Sequence, residues 1–512
     1  MRPPTRREFL GASAAGLCMV SMPRFLAGCA HPVPPGTAVV PDNPFLAWFG
    51  IDQGLIARVL AELCARGADL AELYFQHARS NSITLEDGIV SRASSSIDLG
   101  VGLRCVVGEQ TGYAYTEDLT LESMLQAART ASTIAHAGGG PAIESFRFVE
   151  HKGLYTIAQP LSQVAVERKL PLVERIATQA AGANPAVEKV RVVWSDDEEH
   201  VLIATMDGVM HTDVRPMTRV WCTVNARKGD EVQSNSSNLA GRRGFDFYDQ
   251  TQVDKLVREA VDRTMILFEA KRPPAGPQPV VLAAGASGIL LHEAIGHGME
   301  ADFNRKGTSI FADMLGRKVS SEHVTIVDSG VEPSERGALN VDDEGHDTQY
   351  TKLVENGILK SYMHDGISAR HYGVGPTGNG RRESFRFAPI PRMRCTFMEN
   401  GPHSPEEIIA SVKKGIVAET FTNGQVQIGA GDFTFYVKNG WLIEDGRRTA
   451  PIKDCNIIGN GPDVLAKITM VGDDFKLDTG GWTCGKDGQG VPVSQGLPTA
   501  LVSSITVGGE DA

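Results

Sequence analysis

The segment Leu291–Thr308, LHEAIGHGMEADFNRKGT, sets two histidines around a glutamate on a stretch free of proline. His292 and Glu293 are adjacent and His297 follows, giving H-E-x-x-x-H. Imidazoles with a neighbouring carboxylate are the parts of a metal site with its own acid/base. Zinc-protease helices, however, carry their histidines at i and i+4, one turn apart on one face. At i+5 an ideal helix turns the two rings roughly 140° apart. Gly296 and Gly298 flank His297 and make the backbone there permissive, and one π-bulge would bring i and i+5 back into line. The spacing also suits two ordinary helix histidines, one buried and one exposed, with Glu293 a surface acid. Against that, two histidines, a glutamate and two glycines on an otherwise apolar helix cost stability.

Two histidines do not hold a catalytic zinc by themselves; three protein ligands and an open position are usual. The third donor is either a downstream carboxylate, Glu300 or Asp302, or a cysteine. Cys484 lies in TGGWTCGKDGQGVPVSQGLPT, a glycine-dense turn where backbone can approach an ion closely. As a thiolate it would be a strong ligand, and coordination would keep it from oxidising. With Cys18 and Cys29 set aside, the other cysteines (Cys64, Cys105, Cys222, Cys395, Cys455) are scattered without a disulfide framework.

The elements that must position these residues follow an α+β pattern. A helical apolar period runs through DQGLIARVLAELCARG, and two strand-like stretches turn at Asp87-Gly88. TLESMLQAARTASTIAHAG is a helix opened by Thr120 and closed by glycines. A second helix-then-strand unit follows, with a turn at Asp207-Gly208, and TQVDKLVREAVDRTMILFEA is one more amphipathic helix. KRPPAGPQP breaks the pattern; beyond it the chain is Gly-rich and mostly strand-like, with the histidine segment as its main helix. At 512 residues two domains are expected: an α/β domain over 46–270, a linker over 271–279 and a β-rich domain over 280–512. A net charge of -12 argues against a nucleic-acid partner, which needs a basic face.

The first residues are expected to lie outside the fold. Arg6 and Arg7 precede Phe9, Leu10 and an Ala/Gly-rich run, a pattern that resembles a twin-arginine export signal over 1–29. Leu26-Ala27-Gly28-Cys29 is similar to a lipoprotein cleavage box, with Cys29 as the lipidated residue that would tether the protein to a membrane. Pro23 and Arg24 interrupt the apolar run, and a plain cut nearby is the alternative. Residues 30–45 form a Pro-rich tether.

From about Val280 to Gly509 the chain resembles the TldD/PmbA family of metallopeptidases. The resemblance rests on HEAIGHGMEADFNRKGTSIFA, VDDEGHDTQYTKLVENGILKSYMHD, PTGNGRRESFRFAPIPRM, IIGNGPDV, ITMVGDD, CGKDGQGVPVSQGLPT and ITVGG, in that order. The TldD-like branch keeps the histidine motif and the late cysteine, and this chain is similar to it. The resemblance implies zinc bound by His292, His297 and Cys484, with Glu293 as acid/base in the hydrolysis of unfolded or short peptides. It also implies an α/β domain, a β-rich domain, and a dimer enclosing the active site. That dimer would be a homodimer or a heterodimer with a PmbA-like subunit. Family members are expected in the cytoplasm, so an export leader pointing to the periplasm or cell envelope favours a homodimer unless a partner is co-exported. A non-catalytic metal- or peptide-binding scaffold is the competing reading, although a scaffold has no need of Glu293. Arg381 and Arg382 in GNGRRES would bind a peptide carboxylate or form ion pairs with Asp342, Asp343 or Glu344; the ion pairs are the simpler expectation. His346, His364 and His371 are expected at the surface or in packing.

Overall fold

Two long hairpins build the first sheet. Leu70–Glu86 returns as Ile89–Val107 through Asp87 and Gly88, whose φ angles of 51° and 79° are those of a tight hairpin turn. Val187–Thr205 and Val209–Lys228 form the second hairpin, and the two join by antiparallel pairing of Leu70–Glu86 with Val187–Thr205. Gln110–Thr116 extends the sheet on one side, while Arg147–Val149 and Glu231–Gly241 both pair with Val209–Lys228. Helices Gln53–Cys64 and Leu121–Ala131 bury Leu60, Leu63 and Met124 against Leu73, Phe75 and Leu103. Val166–Gly182 and Gln250–Met265 cover a separate core around Trp194, Val220 and Leu256. The expected start at Thr120 is a true N-cap, its side chain accepting the Ser123 N–H.

The second half is a closed barrel with a sheet beside it. Lys414–Gln427, Gly276–Leu282, Ala500–Gly508, Cys455–Asn460 and Asp432–Glu444 pair in that order, and the last also pairs with the first. Gly276 to Pro279 of the Pro-rich stretch 271–279 are thus already barrel strand. The second sheet includes Ile326–Ser329, Cys395–Met398 and Gln489–Leu497, with Trp482–Lys486 hydrogen-bonded to the last. The histidine segment packs into both: Ile289, Leu290, Ile295 and Met299 share one core with Phe433 and Phe435 of the barrel and Val491 and Val493 of the sheet. The architecture is α+β.

The computed structural model describes residues 44–135, 145–151, 153–427 and 429–510. The leader, Cys29 and most of the tether lie outside the described residues. Pro41–Ala512 is one compact unit. Its two halves are pinned by buried charges: Arg104 to Glu72 and Glu344, Arg215 to Asp343 at 2.7 Å, and Arg382 to Glu72 at 3.0 Å. No described helix is long and apolar enough to cross a membrane.

Candidate metal centre

The histidine segment is not one regular helix. An α-turn, Gly288–Leu291, runs into a π-helical turn over His292–Gly296, and the His297 N–H donates to the His292 carbonyl five residues back. That widening resolves the i+5 spacing: the two imidazole centroids lie 5.2 Å apart with ring planes at 84°. Neighbours hold the turn in place. A Cβ at Gly296 would collide with the Met393 sulfur, one at Gly298 with the Phe311 ring, and one at Gly461 with the Ala294 carbonyl. A one-turn 3₁₀ segment, His297–Met299, then leads to Ala301–Arg305.

Cys484 closes the group. It sits mid-strand in Trp482–Lys486, opposite Val491 of Gln489–Leu497, and the Arg392 guanidinium donates to its carbonyl at 2.5 Å. One donor atom each from His292, His297 and Cys484 lies within 4.8 Å of the others, and all three residues are buried. The Cys484 sulfur is 3.3 Å from His297 Nε2, and the His292 Nδ1 is buried without a hydrogen-bond partner. The thiols divide accordingly. Burial pushes Cys64, Cys222 and Cys455 up to about 12. Burial pushes Cys484 the same way, but the charges and hydrogen bonds of His292 and His297 reverse it and hold the thiol well below its ordinary range.

Neither Glu300 nor Asp302 joins the donor group; both work behind it. Glu300 is fully buried, and its Oε2 accepts from His297 Nδ1 at 3.0 Å and from Lys486 at 3.1 Å. Asp302 takes the same ammonium at 2.7 Å. Burial opposes ionisation of Glu300, yet Lys486 and His297 hold its carboxyl at about 2. A carboxylate on Nδ1 fixes a proton there and leaves Nε2 facing Cys484, the orientation typical behind metal-bound histidines. Lys486 was not legible beforehand as a participant. Its signal is that it follows Cys484 by two and therefore shares its strand face.

Glu293 stands at the mouth. Its carboxylate is 23 % exposed and 3.8 Å from His297 Nε2. It lines a cavity of about 780 Å³ with His297, Phe303 and Lys486 on one side and Gln425, Gln427 and Thr434 of the barrel on the other.

The remaining predicted residues sit elsewhere. Arg381 donates to the carbonyls of Met393 and Pro492. Arg382 donates to the Asp343 carbonyl and pairs with Glu72 rather than with the carboxylates expected for it. His371 bonds Glu109, and His364 is buried. His346 lies 3.7 Å from both Asp342 and Glu344, three side chains close enough to suggest a second metal group. Their bonding argues otherwise. Asp342 already accepts the N–H groups of Glu344, His346 and Gly380, and Glu344 holds Arg104 and the Gly366 N–H. Burial lowers His346, but the two carboxylates lift it to about 9, and its Nδ1 is buried without a hydrogen-bond partner.

Comparisons with known proteins agree along most of the described chain. The PmbA/TldA metallopeptidase models match as domain 1 over 71–135, central domain over 159–268 and C-terminal domain over 275–509. A Haemophilus influenzae metalloprotease TldD homolog is 42 % identical over 476 residues, 91 % of this chain and 98 % of that protein. A Saccharolobus solfataricus zinc metalloprotease TldD homolog is 27 % identical, covering 86 % and 97 %. In fold, the chain is similar to a Thermotoga maritima protein described as a modulator of a DNA gyrase (TM-score 0.73, 21 % identity, 89 % of this chain and 100 % of that one). It is also similar to TldE from Thermococcus kodakarensis (TM-score 0.70, 19 % identity, 89 % and 99 %). Extended pairing of this kind with the H. influenzae relative, together with the three matched models, makes this chain a member of the PmbA/TldD metallopeptidase family.

Proposed function

We propose that this protein is an exported zinc-dependent peptidase for unfolded or short peptides, in which His292, His297 and Cys484 hold the metal and Glu293 is the general acid/base. One observation carries the reading: three buried donors converge within 4.8 Å while the neighbouring carboxylate, Glu293, faces a cavity. The donor set fits the ion. Two imidazoles and a thiolate suit a borderline-soft divalent cation such as zinc, and the unpartnered His292 Nδ1 fits a nearby cation.

Zinc bound there supplies Lewis acidity toward a carbonyl and toward water. The protein's own groups do the rest. Glu293 takes a proton from the attacking water onto its carboxylate and delivers it to the leaving nitrogen. Glu300 keeps the His297 proton on Nδ1, and Lys486 balances the Glu300 charge. Among the described residues, Trp482–Lys486 pairs only with Gln489–Leu497, which leaves a strand edge for an extended peptide backbone. Such pairing requires an unfolded segment and is the basis for the substrate class. The twin-arginine pattern at Arg6-Arg7 supports export to the periplasm or cell envelope of a protein folded before transport, with lipid at Cys29 as its anchor. A homodimer follows where no PmbA-like subunit is co-exported.

The test is to purify the mature chain and the Glu293→Ala variant, measure bound metal in each, and assay both on an unstructured peptide library. Zinc in both with cleavage only by the wild type supports the proposal. Zinc in both with cleavage by neither, also after addition of any co-purified subunit, establishes a scaffold instead.

A further inference from the structure

A second pocket, of about 390 Å³, opens between the first sheet and the barrel and is walled by Arg219, Trp221, Lys438 and Trp482. Its charge is unbalanced. The Arg219 guanidinium stacks 4.4 Å from the Trp221 ring centroid, and its Nε is buried without a hydrogen-bond partner. Neither Arg219 nor Lys438 forms an ion pair among the described residues, whereas the neighbouring Arg263 pairs with Glu259 at 3.4 Å. The one acid of the pocket, Asp478, is engaged by the Trp482 indole N–H at 2.6 Å and the Gly480 N–H at 3.1 Å. The cradle is shaped for the guanidinium: a Cβ at Gly481 would collide with the Arg219 side chain. A half-buried cation without an anion is costly, and a bound anion would offset that cost.

Position gives the pocket its connection to the metal centre. Trp482 and Cys484 are two residues apart on one strand, so their side chains share a face at a spacing of about 7 Å. An extended peptide repeats its side chains at the same interval. A substrate paired along this edge, with its scissile bond level with Cys484, carries a neighbouring group to Trp482.

We propose that this pocket is a specificity subsite that takes a carboxylate of the peptide, from an acidic side chain or the C-terminus, between Arg219 and Lys438 and against the two tryptophans. The proposal rests on the peptidase reading for its substrate, and the test separates the two. Short acetylated and amidated Ala/Gln peptides are compared with the same peptides carrying one Glu at each position in turn, and with versions ending in a free carboxylate. Zinc-loaded wild type, Arg219→Gln and Lys438→Gln are assayed for kcat/KM. Binding is read in parallel from tryptophan fluorescence in a Glu293→Gln background, which does not depend on turnover.

The expected result is a preference of roughly tenfold for one carboxylate placement, the order of one charge-assisted hydrogen bond. That preference falls to about one in Arg219→Gln and weakens with salt. Which peptide set shows it, internal Glu or free terminus, identifies the source of the carboxylate. Cleavage without any carboxylate preference, or a preference unchanged in both variants, overturns the subsite and leaves the peptidase reading intact. Arg219-dependent binding without cleavage of any peptide overturns the peptidase reading and leaves the subsite. If Arg219→Gln does not fold by circular dichroism, Lys438→Gln decides: a reduced ratio supports the subsite, and an unchanged one removes it.

Discussion

Glu300→Gln isolates what the buried charge behind the metal centre contributes. In the native protein both donors, His297 Nδ1 and Lys486 Nζ, converge on Glu300 Oε2, while Oε1 has no partner. A glutamine keeps an oxygen for those donors but loses the negative charge and places an amide NH₂ where no acceptor stands. At 3.1 Å and an effective dielectric of about 20, the Lys486–Glu300 attraction is ~5 kcal/mol before desolvation. Breaking a buried pair from one side costs ~3–5 kcal/mol. Asp302 still holds Lys486 at 2.7 Å, so the loss belongs at the lower end, about 3 kcal/mol. Removing a carboxylate that orients a metal-binding imidazole also weakens metal affinity by roughly 10–100-fold. Urea unfolding of the zinc-stripped protein measures the first effect, and competition with a chromophoric chelator measures the second. The double variant Glu300→Gln/Lys486→Met should be more stable than the sum of the single losses, because Lys486→Met alone leaves Glu300 and Asp302 both without their ammonium and the double variant leaves only Asp302 so. The reasoning is refuted if Glu300→Gln loses less than about 1 kcal/mol and binds zinc as tightly as the wild type, or if the two substitutions are additive.

Two further expectations follow from packing and from charge. Gly296→Ala drives a methyl into the buried Met393 sulfur, so overpacking should cost ~1–3 kcal/mol and loosen zinc binding; adding Met393→Ala should recover part of both in the same urea and chelator titrations. His346 is raised from 6.5 to about 9 by Asp342 and Glu344, so its stabilisation is complete below pH 6.5 and is lost as pH rises through about 9. With the side chain 31 % exposed, solvent screening leaves about 1 kcal/mol of this or less. Urea midpoints should therefore fall across that window in the wild type and stay flatter in His346→Gln; equal slopes would discount the imidazolium.

Local chemistry made much of the chain readable. The Asp87-Gly88 turn, the Thr120 cap and the amphipathic helices over the first sheet are short-range features, decided within a few residues by backbone sterics and hydrogen bonding. The histidine spacing was informative for the same reason: with glycines on both sides of His297, only a widened turn brings the two rings together, and the π turn is present. The ions that join the two halves were only partly legible. Arg382 was expected to meet a carboxylate of the VDDEG segment, yet it reaches across to Glu72, more than 300 positions earlier in the chain.

The sequence by itself determined which groups are capable of the chemistry: two imidazoles and a carboxylate on one short segment, and a cysteine in a glycine-rich strand far downstream. It left Glu300, Asp302 and Cys484 as rival third donors, because spacing constrains only neighbours on the same element. Tertiary structure brings Cys484, and not the carboxylates, into one donor group with the two histidines. Pairing of Trp482–Lys486 with Gln489–Leu497 carries the Cys484 sulfur to the histidines, while Lys486, on the same strand face, draws Glu300 and Asp302 away from the donor group. A buried carboxylate goes to the nearest buried cation, and where that cation stands is set by long-range strand pairing that no local pattern encodes.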